Sequence, residues 1–227
     1  ISKNKYLDIA IEDRNLNSKL KSYLIFGAIN FHQSNVQIKN TNFHTIYSED
    51  ALNIMNSNFN LEKINFTNIY SDAVDIDTGI GSFKEIYFED VYNDALDFSN
   101  SKIDAELIFF KNIGDKMVSV GENSTANLKN LNGLKSSVGI TSKDGSSTVV
   151  NDIILDDVKI PFASYKKKKL YNSANLIISK YKSNKYLVEY LKDKNSELIL
   201  DGKNMEKIEK FPLKVIYRKQ YELLQNI

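Results

Sequence analysis

The chain contains no cysteine and no tryptophan, and only two prolines, nine glycines and two histidines in 227 residues. Without cysteine there is no disulfide, no thiolate nucleophile and no cysteine-based zinc site. His32 and His44 show no ligand spacing of the His-x-x-x-His kind and read as surface residues. No apolar run approaches the ~18 residues a membrane span needs, so no span is expected, and no secretory leader is legible. Neither charge dominates: 30 Lys and Arg face 29 Asp and Glu, which argues against a nucleic-acid partner, since those partners select a basic excess. Sustained 3.6-residue periodicity with caps is also missing, which excludes a mainly helical chain.

What the sequence has instead is Asn and Asp, both of which form turns through side-chain bonds to the backbone and tolerate the left-handed region. Between them lie short alternating runs such as Val74-Asp75-Ile76-Asp77 and Leu96-Asp97-Phe98-Ser99, the pattern of half-buried strands. These runs repeat. Asn30, Asn53, Asp75, Asp97, Ser119, Thr141 and Ala163 hold equivalent places, the first step being 23 residues and every later one 22. Phe43, Phe66, Phe88 and Phe110 keep the same phase, as do Ile46, Ile69, Val91 and Ile113, with a turn file of Thr45, Asn68, Asp90 and Asn112 between them. A unit of this length cannot bury its apolar side alone and must stack. The leucine-rich signature is absent. The fold expected is all-β: a single-stranded right-handed parallel β-helix of about 22 residues per rung, its handedness following the crossover preference.

Alternation assigns faces. Val74, Leu96, Val118, Ile140 and Phe162 point inward, with Ile54, Ile76, Phe98 and Val120 beside them. The outward files are Asn53, Asp75, Asp97, Ser119, Thr141 and His32, Met55, Asp77, Ser99, Gly121, Lys143, Tyr165. Asp50, Asp72, Asp94 and Lys116 stand where each rung enters the strand. Residues 1–23 read as an incomplete first rung or N-terminal cap, 24–204 as the β-helix, and 205–227 as a C-terminal cap over the open edge. The run Lys166–Lys169 reads as a solvated loop in a lengthened turn, with the next strand about three residues late, near Leu187-Val188. The first residue is Ile1, and the chain is expected to be part of a larger one.

The succession Glu49-Asp50-Ala51-Leu52-Asn53-Ile54, Ser71-Asp72-Ala73-Val74-Asp75-Ile76-Asp77, Asn93-Asp94-Ala95-Leu96-Asp97-Phe98 and Gly114-Asp115-Lys116-Met117-Val118-Ser119 resembles the C-terminal β-helix region of spore-coat-protein-H-like (CotH-like) bacterial surface proteins. That resemblance covers roughly residues 24–205. It implies the fold and an extracellular or cell-envelope setting, and no particular activity. A looser similarity is to the pectin-lyase-like superfamily, and within it to polygalacturonases. Asp72, Asp94 and Lys143 fall on that family's motif positions, whereas Asn93, Lys116 and Thr141 stand where it has Asp, His and Arg. The resemblance therefore implies a sugar-facing surface more than it implies polygalacturonase hydrolysis.

Stacked rungs bring equivalent carboxylates to about 4.8 Å at the backbone, where like charges repel and raise a pKa. One reason to tolerate this is acid/base work on a glycosidic bond, which needs carboxyls ~5–9.5 Å apart. Another is a hard cation such as calcium. A third is purely structural: polar outward positions, with Asp bonding the backbone at turns. The catalytic candidates are Asp72, Asp94, Lys116 and Lys143, the lysines to meet substrate charge or abstract a proton. The substrate-binding candidates are Glu49, Asp50, Asn53, Asp75, Asp77, Asp97, Glu122 and Asp144. The function expected is binding or cleavage of an acidic polysaccharide. The alternative is a non-catalytic structural or adhesive module of a larger cell-surface protein.

Overall fold

The computed structural model describes residues 27–208, and these form a parallel β-solenoid of about eight turns with no helix. The expected first rung, 1–23, lies outside the described residues, as does all of the expected C-terminal cap beyond residue 208. Short and long strands alternate: β1 (Gly27–His32), β2 (Asn35–Ile46), β3 (Asp50–Met55), β4 (Asn58–Ile69), β5 (Asp72–Asp77), β6 (Ile80–Val91) and β7 (Leu96–Ser99). In β8 (Lys102–Gly121), β9 (Thr125–Lys143) and β11 (Ile153–Tyr165) a long strand runs on into the next short one, with β10 (Ser147–Val150) opening the rung of β11. The last turns hold β12 (Asn175–Ile178), β13 (Tyr181–Asn184), β14 (Tyr190–Lys192), β15 (Glu197–Leu200) and β16 (Lys203–Asn204).

Each rung turns at corners made by residues in the left-handed region, which, glycine apart, Asn and Asp enter most readily. One corner file is Asn56, Thr78, Asn100 and Glu122, and another is Lys63, Glu85, Leu107 and Asn130. The third is Thr45, Asn68, Asp90 and Asn112, all with φ between 55° and 57°, the turn file foreseen from the repeat. In this file strand partners follow the repeat, Asn30 pairing Asn53, then Asp75, Asp97, Ser119, Thr141 and Ala163 in turn, while β8 shifts register by one residue against β9 between Ile113 and Lys116. Inside, Phe43, Phe66, Phe88 and Phe110 stack with ring centroids 4.6, 5.0 and 5.4 Å apart. Such pairs add about 0.5–1.5 kcal/mol each beyond their burial.

Two side-chain ladders tie the rungs at either end of the short strands. At the exit corner, serine hydroxyls accept the backbone N–H of the preceding rung: Ser101 Oγ from Gly79 (2.9 Å), Ser124 Oγ from Ser101 (2.9 Å) and Ser146 Oγ from Ser124 (3.1 Å). At the entry, carboxylates accept from the rung that follows: Asp72 Oδ1 from Asp94 N–H (2.8 Å) and Asp94 Oδ1 from Lys116 N–H (2.9 Å).

The irregularity near the end is larger than its sequence reading. Ser147 pairs Asn175 and Phe162 pairs Tyr190, steps of 28 residues in place of 22, so six extra residues lie between Tyr165 and Asn175. Nor is this loop simply solvated. Lys167, Lys168 and Lys169 are exposed, but Asp144 Oδ1 accepts the backbone N–H of Lys167 (2.7 Å) and Lys168 (2.6 Å), and Lys168 pairs with Glu122. The described end is closed by a hairpin in which β16 pairs antiparallel with β15, blunting the open edge.

Candidate functional site

The short strands β3, β5 and β7, continued by the ends of β8 and β9, carry the residues singled out from the sequence. Their outward files are less open than alternation alone implies. Asn53, Ser119 and Thr141 are fully buried, and Asp50, Asp94 and Lys116 nearly so, whereas Asp72, Asp75, Asp77 and Asp97 are half-buried. Neighbouring polar side chains and long lysines lie across the sheet, which a pattern of alternating residues does not reveal. Tyr165, expected outward, is fully buried in a second apolar cluster with Val138, Ile160, Ala163 and Leu191. Glu49, Tyr47, His32 and His44 are exposed.

At the C-terminal side of the acidic patch the charges are internally matched. Lys116 Nζ lies 3.2 Å from Asp94 Oδ1, 3.3 Å from Asp94 Oδ2 and 2.6 Å from Asp115 Oδ2. Its side chain is 3% exposed, so this ammonium is a structural counter-ion enclosed by carboxylates. Lys143 reaches back to Asp97 Oδ1 at 3.7 Å. It does so by crossing Gly121, where a Cβ would stand 2.7 Å from Lys143 Cε; the missing side chain at this step of the file is what opens the path.

Toward the N-terminal side the carboxyls outnumber their partners. Asn53 Nδ2 donates to Asp50 Oδ2 (3.3 Å) and to Asp75 Oδ2 (3.1 Å), and Asn93 Nδ2 donates to Asp72 Oδ1 (2.6 Å). Burial, with the charges of Asp72 and Glu49, pushes Asp50 up to about 7. Burial and the Asp94 charge push Asp72 up to about 8. Burial, then Asp77, Asp50 and Asp97, pushes Asp75 up to about 9. Asp77 is raised by burial and by Asp97. Asp97 goes the other way: burial would raise it, but Lys143 and Lys116 outweigh that and hold it below its usual range. Ser119 adds to that field, although neither Ser119 Oγ nor Asp97 Oδ1 meets hydrogen-bond geometry. The result is a raised carboxyl, Asp75, directly paired across the sheet with a lowered one, Asp97.

Asn53, Asp97, Ser119 and Thr141, all in one file, each carry a buried oxygen without a hydrogen-bond partner. Asp144 and Glu122, expected to contact substrate, hold the loop after Tyr165. No three His, Cys, Asp or Glu side chains among the described residues converge to hold a metal ion, so calcium has no carboxylate cage there. No helix among the described residues is long and apolar enough to cross a membrane.

One feature escaped the sequence reading. Tyr47, Tyr70 and Tyr92 are 55%, 44% and 56% exposed and stack with centroids 4.2 and 5.1 Å apart, two or three residues ahead of Asp50, Asp72 and Asp94. Their spacing of 23 and 22 was the available signal, hidden because the file ends at Gly114 after three rungs. Comparison with protein-family models, curated proteins and solved structures found no match to this chain.

Proposed function

We propose that this chain binds a polysaccharide along the face of β3, β5 and β7, as a module of a larger bacterial protein at the cell surface or in the envelope. The observation that carries this is the gathering of Asp50, Asp72, Asp75 and Asp77 on two adjacent rungs, at a cost in charge repulsion and burial, beside the exposed tyrosine strip. Carboxyls in mixed protonation states offer donors and acceptors together, and tyrosine supplies an apolar surface with a polar tip; sugars present the matching groups. The surface-protein setting is supported by the similarity of the Asp-Ala-Leu/Val-Asp succession to the CotH-like region.

Binding without cleavage is favoured by what Asp72 and Asp94 already do, since each gives an oxygen to the next rung's backbone. A cleaving reading has one observation on its side, the split pair Asp75 and Asp97 on neighbouring strands. Two carboxyls pushed apart in this way are how a site assigns proton donor and ionised partner, and rung spacing suits glycosidic chemistry. A glycan array combined with a product assay tests both. Hits without sugar release support the binding module, and turnover lost in Asp75→Asn supports the enzyme. No hits and no turnover would remove this face as a sugar site.

A further inference from the structure

The charges that cancel over the whole chain are separated along the solenoid. Residues 27–158 carry nine Lys against nineteen Asp and Glu, whereas residues 159–208 carry twelve Lys against five. A charge asymmetry of this kind points to an anionic partner for the basic part. Some of these lysines answer neighbouring rungs: Lys168 pairs with Glu122, Lys180 with Asp152 and Lys185 with Asp156. The exposed Lys169, Lys182 and Lys194 meet no carboxylate among the described residues.

Within that basic part stand the two most exposed large apolar side chains of the described residues, Leu170 at 90% and Leu187 at 81%. They lie on two loops at opposite ends of the short-strand face. Leu170 is in the insertion after β11, and Leu187 follows the left-handed corner at Lys185, ahead of β14. Each has a tyrosine next to it, Tyr171 and Tyr186, and lysines on the same loop. Both loops are tied down. Asp144 Oδ1 accepts the N–H of Lys167 and Lys168 just before Leu170, and Lys159 O accepts the N–H of Leu187 (3.0 Å) and Val188 (3.2 Å). Loops fixed in this way hold two leucines in water, where they forgo the gain from burial and add nothing to the core.

We propose that the last turns of the solenoid dock on an anionic lipid bilayer, with Leu170 and Leu187 entering the interface and Lys169, Lys182 and Lys194 meeting headgroup charge. Apolar insertion and basic charge are each weak anchors, and stable attachment takes both. A soluble polyanion would use the lysines and leave both leucines in water. The acidic rungs do not oppose this contact when the basic end meets the surface. Val74 and Tyr190 stand five rungs apart, about 24 Å, more than twice the ~10 Å over which exposed charges act in 0.1 M salt.

The test is co-sedimentation of the 227-residue chain with vesicles of phosphatidylcholine alone and of phosphatidylcholine mixed equally with phosphatidylglycerol. A duplex DNA oligonucleotide, measured separately, serves as the soluble polyanion. The expected result is binding to the anionic vesicles alone, falling as salt rises. It should weaken about tenfold in Leu170→Ser and in Leu187→Ser, and at least about tenfold when Lys169→Gln, Lys182→Gln and Lys194→Gln are combined. All of these side chains are exposed, so circular dichroism should not change. Wild-type affinity in both leucine variants reduces the contact to charge alone and overturns the bilayer assignment, as does DNA bound as tightly as the anionic vesicles. Equal binding to phosphatidylcholine vesicles removes the part given to the lysines and overturns the proposal, and binding to neither vesicle overturns it outright. The glycan reading rests on other rungs and stands or falls separately.

Discussion

The two ends of one strand file differ sharply. On the first rungs the entry position carries Asp50, Asp72 and Asp94; after Lys116 it becomes Val138 and Ile160. The middle position runs Asn53, Asp75, Asp97, Ser119, Thr141 and then Ala163 and Leu191. The acidic end faces outward beside exposed tyrosines. The other end is apolar, and Val188 and Ile208 of the last described segments pack against it. Between them Lys116 and Lys143 neutralise the boundary. The inner files show no such change, since they bury aliphatic and aromatic side chains on rung after rung. A solenoid must repeat where neighbours share a core, but its outer positions answer only to what covers them.

The largest effect should come at the boundary. Lys116→Ala leaves Asp94 and Asp115 with a buried unpaired charge, a loss of about 3–5 kcal/mol, measurable by urea unfolding; near-wild-type stability would mean the lysine is not the counter-ion assigned here. Asp144→Ala removes the acceptor of two loop N–H groups and should cost about 1–3 kcal/mol. Hydrogen exchange should then rise in residues 166–174 and not in β3 or β5, so faster exchange at both ends would show them to be coupled.

The acidic end sets the pH dependence. Asp50, Asp72 and Asp75 rise from an ordinary 3.8 to about 7, 8 and 9 in the folded chain. Above 3.8 the unfolded chain gives up protons that the folded chain keeps. Their contribution is therefore fully present below 3.8 and is lost as pH climbs through 7 to 9. Asp97, lowered on folding, contributes oppositely, and its share is lost only as pH falls through its depressed range. Thermal unfolding should thus show stability declining from mildly acidic to alkaline pH. Asp75→Asn should flatten that slope, with a gain of about 1 kcal/mol at the alkaline end; an unchanged slope would mean that Asp75 ionises normally. Smallest of all, Tyr70→Ala should cost about 0.5–1.5 kcal/mol through lost ring stacking and leave the apolar end untouched by hydrogen exchange.

Much of this was legible beforehand. The spacing of Asn53, Asp75 and Asp97 predicted one vertical file, and they do pair in succession. Thr45, Asn68, Asp90 and Asn112 announced a corner. Other features were not legible because they depend on reach across rungs. That Lys143 passes over Gly121 to Asp97, that Lys116 is closed in by Asp94 and Asp115, and that Asp144 holds a loop 23 residues downstream all involve side-chain direction, which periodicity does not encode. The six-residue insertion read as three because the strand it delays, Tyr190–Lys192, is short and carries little of the repeat's pattern.

The repeat of apolar and turn residues, by itself, determined a stacked parallel solenoid, its register and its corners, because burying identical faces permits only one stacking phase. Which aspartates remain open, which are neutralised and which are held protonated was decided by tertiary structure. Those states follow from burial and from charges arriving from other rungs, and neither can be read along a single strand.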